Sequence, residues 1–172
     1  VYFSSRSSYR NFLTKLQGPV DYVKQADPSF YRMEKAEMRK CNDPFALGYR
    51  GLSGSTSTLN KETIAYLANL GLHSTAHYSE YKFPVPVSDS MLGLKYLIVD
   101  KGVSVSDTYR LFHQTSGNPG GDVDIYLNPF ALSLAYAVRP EGTAYSMDNG
   151  KREEQISAMR RMNEMLNAMA GG

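Results

Sequence analysis

The chain has 172 residues, of which 42% are apolar and 21% charged. A chain of that size buries roughly 70% of its unfolded surface, enough for one domain with a core, and its composition excludes a disordered polymer. Nineteen basic and 17 acidic residues leave a net charge of +2, which supplies no electrostatic basis for binding nucleic acid. The single cysteine, Cys41, excludes an intrachain disulfide, a cysteine-built zinc site and a dithiol redox centre. Thirteen tyrosines and no tryptophan suit half-buried sheet faces and sugar-contacting surfaces, because the ring is apolar and its tip polar. No window is long enough to span a membrane and no signal peptide is present. The chain begins at Val1 without an initiator methionine, as expected of a piece of a longer protein.

In chain order, Val1 to Phe3 reads as the end of a strand, followed by N-cap candidates in Ser4 to Ser8. Tyr9, Phe12, Leu13 and Leu16 share a helical face, interrupted at Gly18-Pro19. Pro19 then opens a second helical segment that Asp27-Pro28 stops. Phe30 to Lys35 alternates as a strand, with Tyr31 and Met33 on one face and Arg32 and Glu34 on the other. Lys40 to Pro44 is a turn by composition, and Phe45 to Ser57, with Gly48, Gly51 and Gly54, an irregular strand and loop. Asn60 caps a helix whose apolar side holds Ile64, Leu67, Ala68 and Leu70 and which Gly71 ends. His73 to Phe83 contains a strand, and Pro84 and Pro86 keep that region out of the sheet centre. Ser88-Asp89-Ser90 caps a short helical turn leading into Leu94-Lys95-Tyr96-Leu97-Ile98-Val99-Asp100, a run that fits a strand buried on both faces. Tyr109 to His113 and Val123 to Leu127 form a hairpin about the glycine-rich turn at 116–121. Asn128-Pro129 breaks it, Ala131 to Val138 reads as a third short strand, and Glu153 to Met169 as a helix with Ile156, Met159, Met162 or Asn163, Leu166 and Met169 on its face. The fold class is therefore α+β: one domain over 1–172, with a mixed, mostly antiparallel sheet around a central buried strand at about 94–100 and amphipathic helices packed on it.

Motif readings are weak. Gly48-Tyr49-Arg50-Gly51-Leu52-Ser53-Gly54 is neither a phosphate-binding loop nor a nucleophile elbow. His73 and His77 have zinc-compatible spacing only on a helix, and they follow a helix-ending glycine. His113 has no sequence-local acid or nucleophile. Asp122 and Asp124 share a strand face, but acids beside a glycine-rich turn are ordinary.

Several segments in order carry more. They are Phe30-Tyr31-Arg32-Met33-Glu34, Asn42-Asp43, Tyr49 with Gly51 and Ser53, Tyr66-Leu67 with Leu70-Gly71, Leu92-Gly93-Leu94-Lys95-Tyr96-Leu97-Ile98, Val123 with Ile125-Tyr126-Leu127-Asn128, Ala131-Leu132, and Asn163, Leu166 and Gly171. The set resembles the extracytoplasmic region of the YfhO family of bacterial polytopic membrane proteins, from about Tyr9 to Gly171. The resemblance implies a GT-C-type glycosyltransferase that takes sugar from a polyprenyl-phosphate carrier and adds it to a cell-surface polymer such as lipoteichoic acid. The family's catalytic acid belongs to the transmembrane half, so no catalytic residue is assigned here. The fragment itself is expected to hold no cofactor and no metal, to lie on the outer face of a bacterial cell membrane, and to partner its own transmembrane region and an acceptor polymer.

The residues expected to contact that polymer are Arg32, Glu34, Asn42, Asp43 and Tyr49, a set suited to hydroxyl- and phosphate-rich chains. The competing reading makes Arg32 and Glu34 a structural ion pair and Asn42-Asp43 a turn. Two further functions stand beside the first: a stand-alone cell-surface glycan-binding module, and a soluble hydrolase whose pocket gathers His73 or His113 with acids.

Overall fold

The computed structural model describes residues 5–36, 39–82, 85–138 and 158–170. Its first element, α1 (Arg6–Ala26), begins at Ser5, whose hydroxyl accepts from Ser8 N–H at 3.1 Å. The expected break at Gly18-Pro19 is absent: Pro19 lies inside one continuous helix of 21 residues. A proline there removes the N–H that Lys15 C=O would accept. Asn118, from the turn beyond the sheet, donates its side-chain amide to that carbonyl at 2.8 Å. The helix is thus completed by a residue 103 positions away.

Beneath α1 lies a four-stranded sheet in the order β1 (Arg32–Lys35), β5 (Leu94–Asp100), β7 (Val123–Leu127), β6 (Arg110–Gln114). The β1–β5 pair is parallel and the other two pairs are antiparallel. The central run is β5, as the sequence predicts. Tyr96 and Ile98 face α1 and pack with Phe12, Leu16, Val20 and Val23, while Leu97 and Val99 face the opposite way onto Tyr81 and Tyr109. Strand alternation with both faces apolar is the reason its sequence reads as one unbroken hydrophobic run. Helix α1 is tied to both ends of β5. Lys15 meets Asp100 at 2.6 Å. Asp27 takes Lys95 at 2.6 Å and the Tyr96 hydroxyl at 2.9 Å. Burial would raise the Asp27 carboxyl, but the bonds from Lys95, Ser29 and Tyr96 outweigh it and hold the group well below the usual carboxylate range.

The long crossover from β1 to β5 carries the remaining elements. They are α2 (Asp43–Leu47), β2 (Gly54–Ser55), α3 (Lys61–Asn69), the hairpin β3 (His73–Thr75) with β4 (Tyr78–Glu80), and α4 (Pro86–Met91). Strands β2, β4 and β3 form a second, antiparallel sheet. Asn60 caps α3 through Thr63 N–H at 2.9 Å, as expected, although Ala68 is exposed and the buried face runs through Ile64, Leu67 and Leu70. Helix α5 (Ala158–Ala170) sets Met162 and Met165 against Leu70 and Met91; Asn163 is exposed and Leu166 and Met169 are half-buried.

Three further expectations are corrected. Residues 43–47 are helical because Pro44 starts a helix well and Gly48 ends it in the left-handed conformation. Ser88, Asp89 and Ser90 lie within α4, with Pro86 at its start, and so do not cap it. Residues 131–138 form no strand, because Asn128 turns the chain away from the sheet, its side chain accepting from Phe130 N–H and its carbonyl from Ala131 N–H. The expected strand at Val1 to Phe3, Pro84, Ile156, the helix start at Glu153 and the terminal glycines lie outside the described residues.

The Asn118 bond predicts a coupled pair. Asn118→Ala should cost about 1–2 kcal/mol in urea unfolding, since it strands a half-buried carbonyl. In a Pro19→Ala background, where residue 19 regains its N–H, the loss should be visibly smaller; an equal loss in both backgrounds would remove the explanation.

Candidate functional site

A cleft of about 440 Å³ opens between the 51–54 segment and α3. Arg32, Phe45, Leu52, Ser53, Tyr66 and Leu92 are among its lining residues. Phe45 is 71% exposed and Tyr66 38%, so two aromatic rings stand at the rim of a mostly apolar trough that contains one guanidinium.

The wall of the cleft hangs on Glu34. That side chain is 1% exposed, and its Oε1 accepts from the N–H groups of both Leu52 and Ser53 at 2.7 Å. Tyr49 donates its hydroxyl to Oε2 at 3.4 Å. Burial pushes the Glu34 carboxyl above its ordinary value, and the two backbone donors oppose the rise. Burial and the nearby Glu34 and Asp43 carboxylates hold the Tyr49 hydroxyl far above the usual tyrosine range. Gly51 is required by close approach. A Cβ there would sit 2.6 Å from Pro44 Cγ and 2.7 Å from Glu34 Oε1.

Behind the wall the polar network continues. Ser53 Oγ accepts from Tyr81 N–H at 3.0 Å, and Tyr81 donates its hydroxyl to Asp89 Oδ2 at 2.7 Å. Tyr109 donates to the same oxygen. Asp89 is buried, and among the described residues its Oδ1 has no hydrogen-bond partner. Burial pushes this carboxyl up to about 6, the two tyrosine hydroxyls pulling against it and Glu34 adding to it. A hydrogen-bonded chain thus links two buried carboxylates through the cleft wall.

The five residues expected to form one binding surface are divided. Arg32 reaches the cleft, where its Nη1 also donates to Leu92 C=O at 2.6 Å. Glu34 is interior support. No ion pair joins it to Arg32, because backbone groups take both side chains first. Asp43 is buried as well. It pairs with Lys35 at 2.8 Å and Arg39 at 3.1 Å and accepts from the N–H groups of Arg39 and Lys40. Burial depresses Lys35 while Asp43 sustains its charge. Asn42 acts as an amide clamp, accepting from Ser55 N–H at 2.7 Å and donating to Ser55 C=O at 3.1 Å. Tyr49 is half-buried and borders a neighbouring depression with Lys24, Tyr31 and Arg50.

Neither histidine considered for hydrolysis borders the cleft. His113 stacks on Tyr22 with ring centroids 3.9 Å apart, and His73 meets Glu80 at 2.7 Å on the β3–β4 hairpin. Asp122 accepts from Asn118 N–H, and Asp124 from Gln114 and Gly102. Among the described residues no group of three or more His, Cys, Asp or Glu side chains is arranged to hold a metal ion.

The sequence matches the family model described as "Bacterial membrane protein YfhO" over residues 1–171. The chain belongs to the YfhO family. No curated protein and no solved structure matches it. Among the described residues of this YfhO chain, no helix is long and apolar enough to cross a membrane. The Leu92 to Ile98 motif that carries much of the resemblance builds the floor of the cleft through Leu92 and the sheet core through Leu94, Tyr96, Leu97 and Ile98. Sequence reasoning passed over Phe45, the rim role of Tyr66, and the Tyr81–Asp89–Tyr109 cluster. The only available signal was an aspartate in a short, otherwise uncharged helix; its tyrosine partners stand 8 and 20 residues away, at no diagnostic spacing.

Gly51→Ala should destabilise the fold by about 2–3 kcal/mol through overpacking against Pro44 and Glu34, measured by chemical denaturation. The pH dependence is also set. Asp89 sits at about 6 when folded against 3.8 ordinarily, so its contribution is complete below the lower value and is lost as pH rises through the higher. Raising the pH from 5 to 8 should therefore lower stability by about 1–1.5 kcal/mol from Asp89, the rest of its contribution having been lost between about pH 3 and 5, with Glu34 acting in the same direction. Asp89→Asn should remove the Asp89 part of the slope; an unchanged slope would show that this carboxyl does not titrate in that window.

Proposed function

We propose that this chain is the extracytoplasmic domain of a GT-C-like membrane glycosyltransferase, and that the cleft beside Arg32 receives the acceptor polymer. The reaction then belongs to the membrane-embedded part of the parent protein, which draws its sugar from a polyprenyl-phosphate carrier. The domain holds the acceptor near that site.

The observation that carries this reading is the cleft itself. Exposed Phe45 and Tyr66 rings stand over a trough holding a half-buried guanidinium. Flat aromatic faces accept the apolar faces of sugar rings, and a guanidinium accepts phosphate or polyol oxygens. Membership in a family of membrane proteins supports a site held close to a bilayer. Glu34, Asn42, Asp43 and Tyr49 serve here as the scaffold that presents Arg32 and the rim.

A stand-alone glycan-binding module draws on the same two aromatic rings. Binding of polymer by the isolated chain with full affinity, and no effect of the cleft on transfer in the parent protein, favours that second reading.

In the parent protein, Arg32→Ala combined with Phe45→Ala should reduce polymer glycosylation by about tenfold to a hundredfold, the effect of losing one charged hydrogen bond and one packed ring. Unchanged glycosylation at normal protein level would sink the cleft assignment. Placement outside the membrane is checked separately. With Cys41 replaced by serine, a Thr58→Cys variant should react on intact cells with a membrane-impermeant maleimide, and protection until lysis would reverse the orientation.

A further inference from the structure

The two ends of the four-stranded sheet differ in chemistry. Where β5 ends and β7 begins, Asp100 and Asp122 are paired with Lys15 and Lys101. At the opposite end the register brings together Arg32 with Leu94, Tyr96 with Leu127, and Arg110 with Leu127. From this end the chain leaves the sheet as Pro129 to Val138, ten residues without a single charge.

That strap presents apolar side chains to water. Phe130 is 62% exposed and Leu134 64%, with Leu132 and Tyr136 also exposed. It is pinned in place. Phe130 N–H binds Asn128 Oδ1 at 3.1 Å and Leu132 N–H binds Ser90 C=O at 2.9 Å. Gly93, with φ +66°, leaves the space under the strap, since a Cβ there would come 3.0 Å from Leu132 O. A contiguous exposed apolar segment held by specific bonds marks an interaction surface.

Cations belong to this end of the sheet as well. Arg50 lies 4.7 Å over the exposed Phe30 ring, and Lys95 and Arg110 belong to the same end of the sheet. Among the described residues the acids at this end are Asp27, taken up by Lys95 and Tyr96, and exposed Asp107. Apolar anchors among surplus cations match the interface of an anionic bilayer, where rings and leucines enter the acyl boundary and basic heads meet the headgroups. Membership in a membrane-protein family places a bilayer within reach.

We propose that this end of the sheet docks on an anionic lipid surface, with Phe130 and Leu134 as the inserted anchors and Arg50 and Arg110 on the headgroups. The proposal stands apart from the acceptor cleft, since it requires neither sugar transfer nor one particular side of the membrane.

The test uses the absence of tryptophan from the chain. Phe130→Trp and, as a control at the other end of the sheet, Val103→Trp are mixed separately with phosphatidylcholine vesicles and with vesicles containing phosphatidylglycerol. With the anionic vesicles, Trp at 130 should shift to the blue and be quenched by brominated acyl chains, while Trp at 103 does neither. Phe130→Ser with Leu134→Ser should weaken partitioning at least about tenfold without changing the melting temperature, and added salt should weaken it further. Absence of partitioning, equal behaviour of the two tryptophans, or indifference to phosphatidylglycerol overturns the proposal. A blue shift at 130 without vesicles, accompanied by a dimer mass in light scattering, assigns the surface to a second copy and overturns it as well.

Discussion

The cleft depends on one buried carboxylate. An isolated ionised carboxylate is costly to bury, by several kcal/mol even after the protein relaxes. Glu34 meets that cost with two short backbone N–H bonds and a tyrosine hydroxyl. In doing so it dictates the path of residues 49–54. The segment must approach so closely that residue 51 has no room for a side chain, and Pro44 closes it from behind. The same bonds present Leu52 and Ser53 to the cleft and hand the network on to Tyr81 and Asp89. A polar group in a core is therefore the reason an apolar cleft has a defined wall.

A second constraint sets the frame. Helix α1 covers one face of the sheet with Phe12, Leu16, Val20 and Val23, a non-directional attraction that alone would allow it to slide. Lys15 with Asp100 at one end and Asp27 with Lys95 and Tyr96 at the other fix its position along β5. Asn118 repairs the hydrogen-bond gap that Pro19 opens midway. Apolar burial supplies the bulk of the attraction and directional polar contacts select one arrangement.

The elements legible in the sequence were those whose signal is local. The Leu94 to Asp100 run, the Asn60 cap with Gly71, and the hairpin about residues 116–121 each announce themselves within ten residues or so, and the structure bears them out. Gly18-Pro19 misled because the residue that rescues the helix comes from the far side of the sheet. Residues 131–138 misled because apolar composition alone suits a strand, whereas the bonds of Asn128 and Ser90 lead the chain elsewhere. Of the candidate site, only Arg32 was both foreseen and found in the cleft. Glu34, Asn42, Asp43 and Tyr49 were noticed for their polarity, and the fold uses that polarity inside.

From its residues alone the chain determines an α+β class, a central strand buried on both faces, and its family, because patterns of period two and 3.6 and an ordered set of short motifs survive in one dimension. Which polar groups face water is decided elsewhere. An Arg and a Glu two residues apart on one strand read as equivalent surface partners. The long crossover between β1 and β5 folds the 49–54 loop over one and leaves the other open to the cleft. Burial depends on what the distant chain brings to a side chain, and that information exists only once the chain has closed on itself.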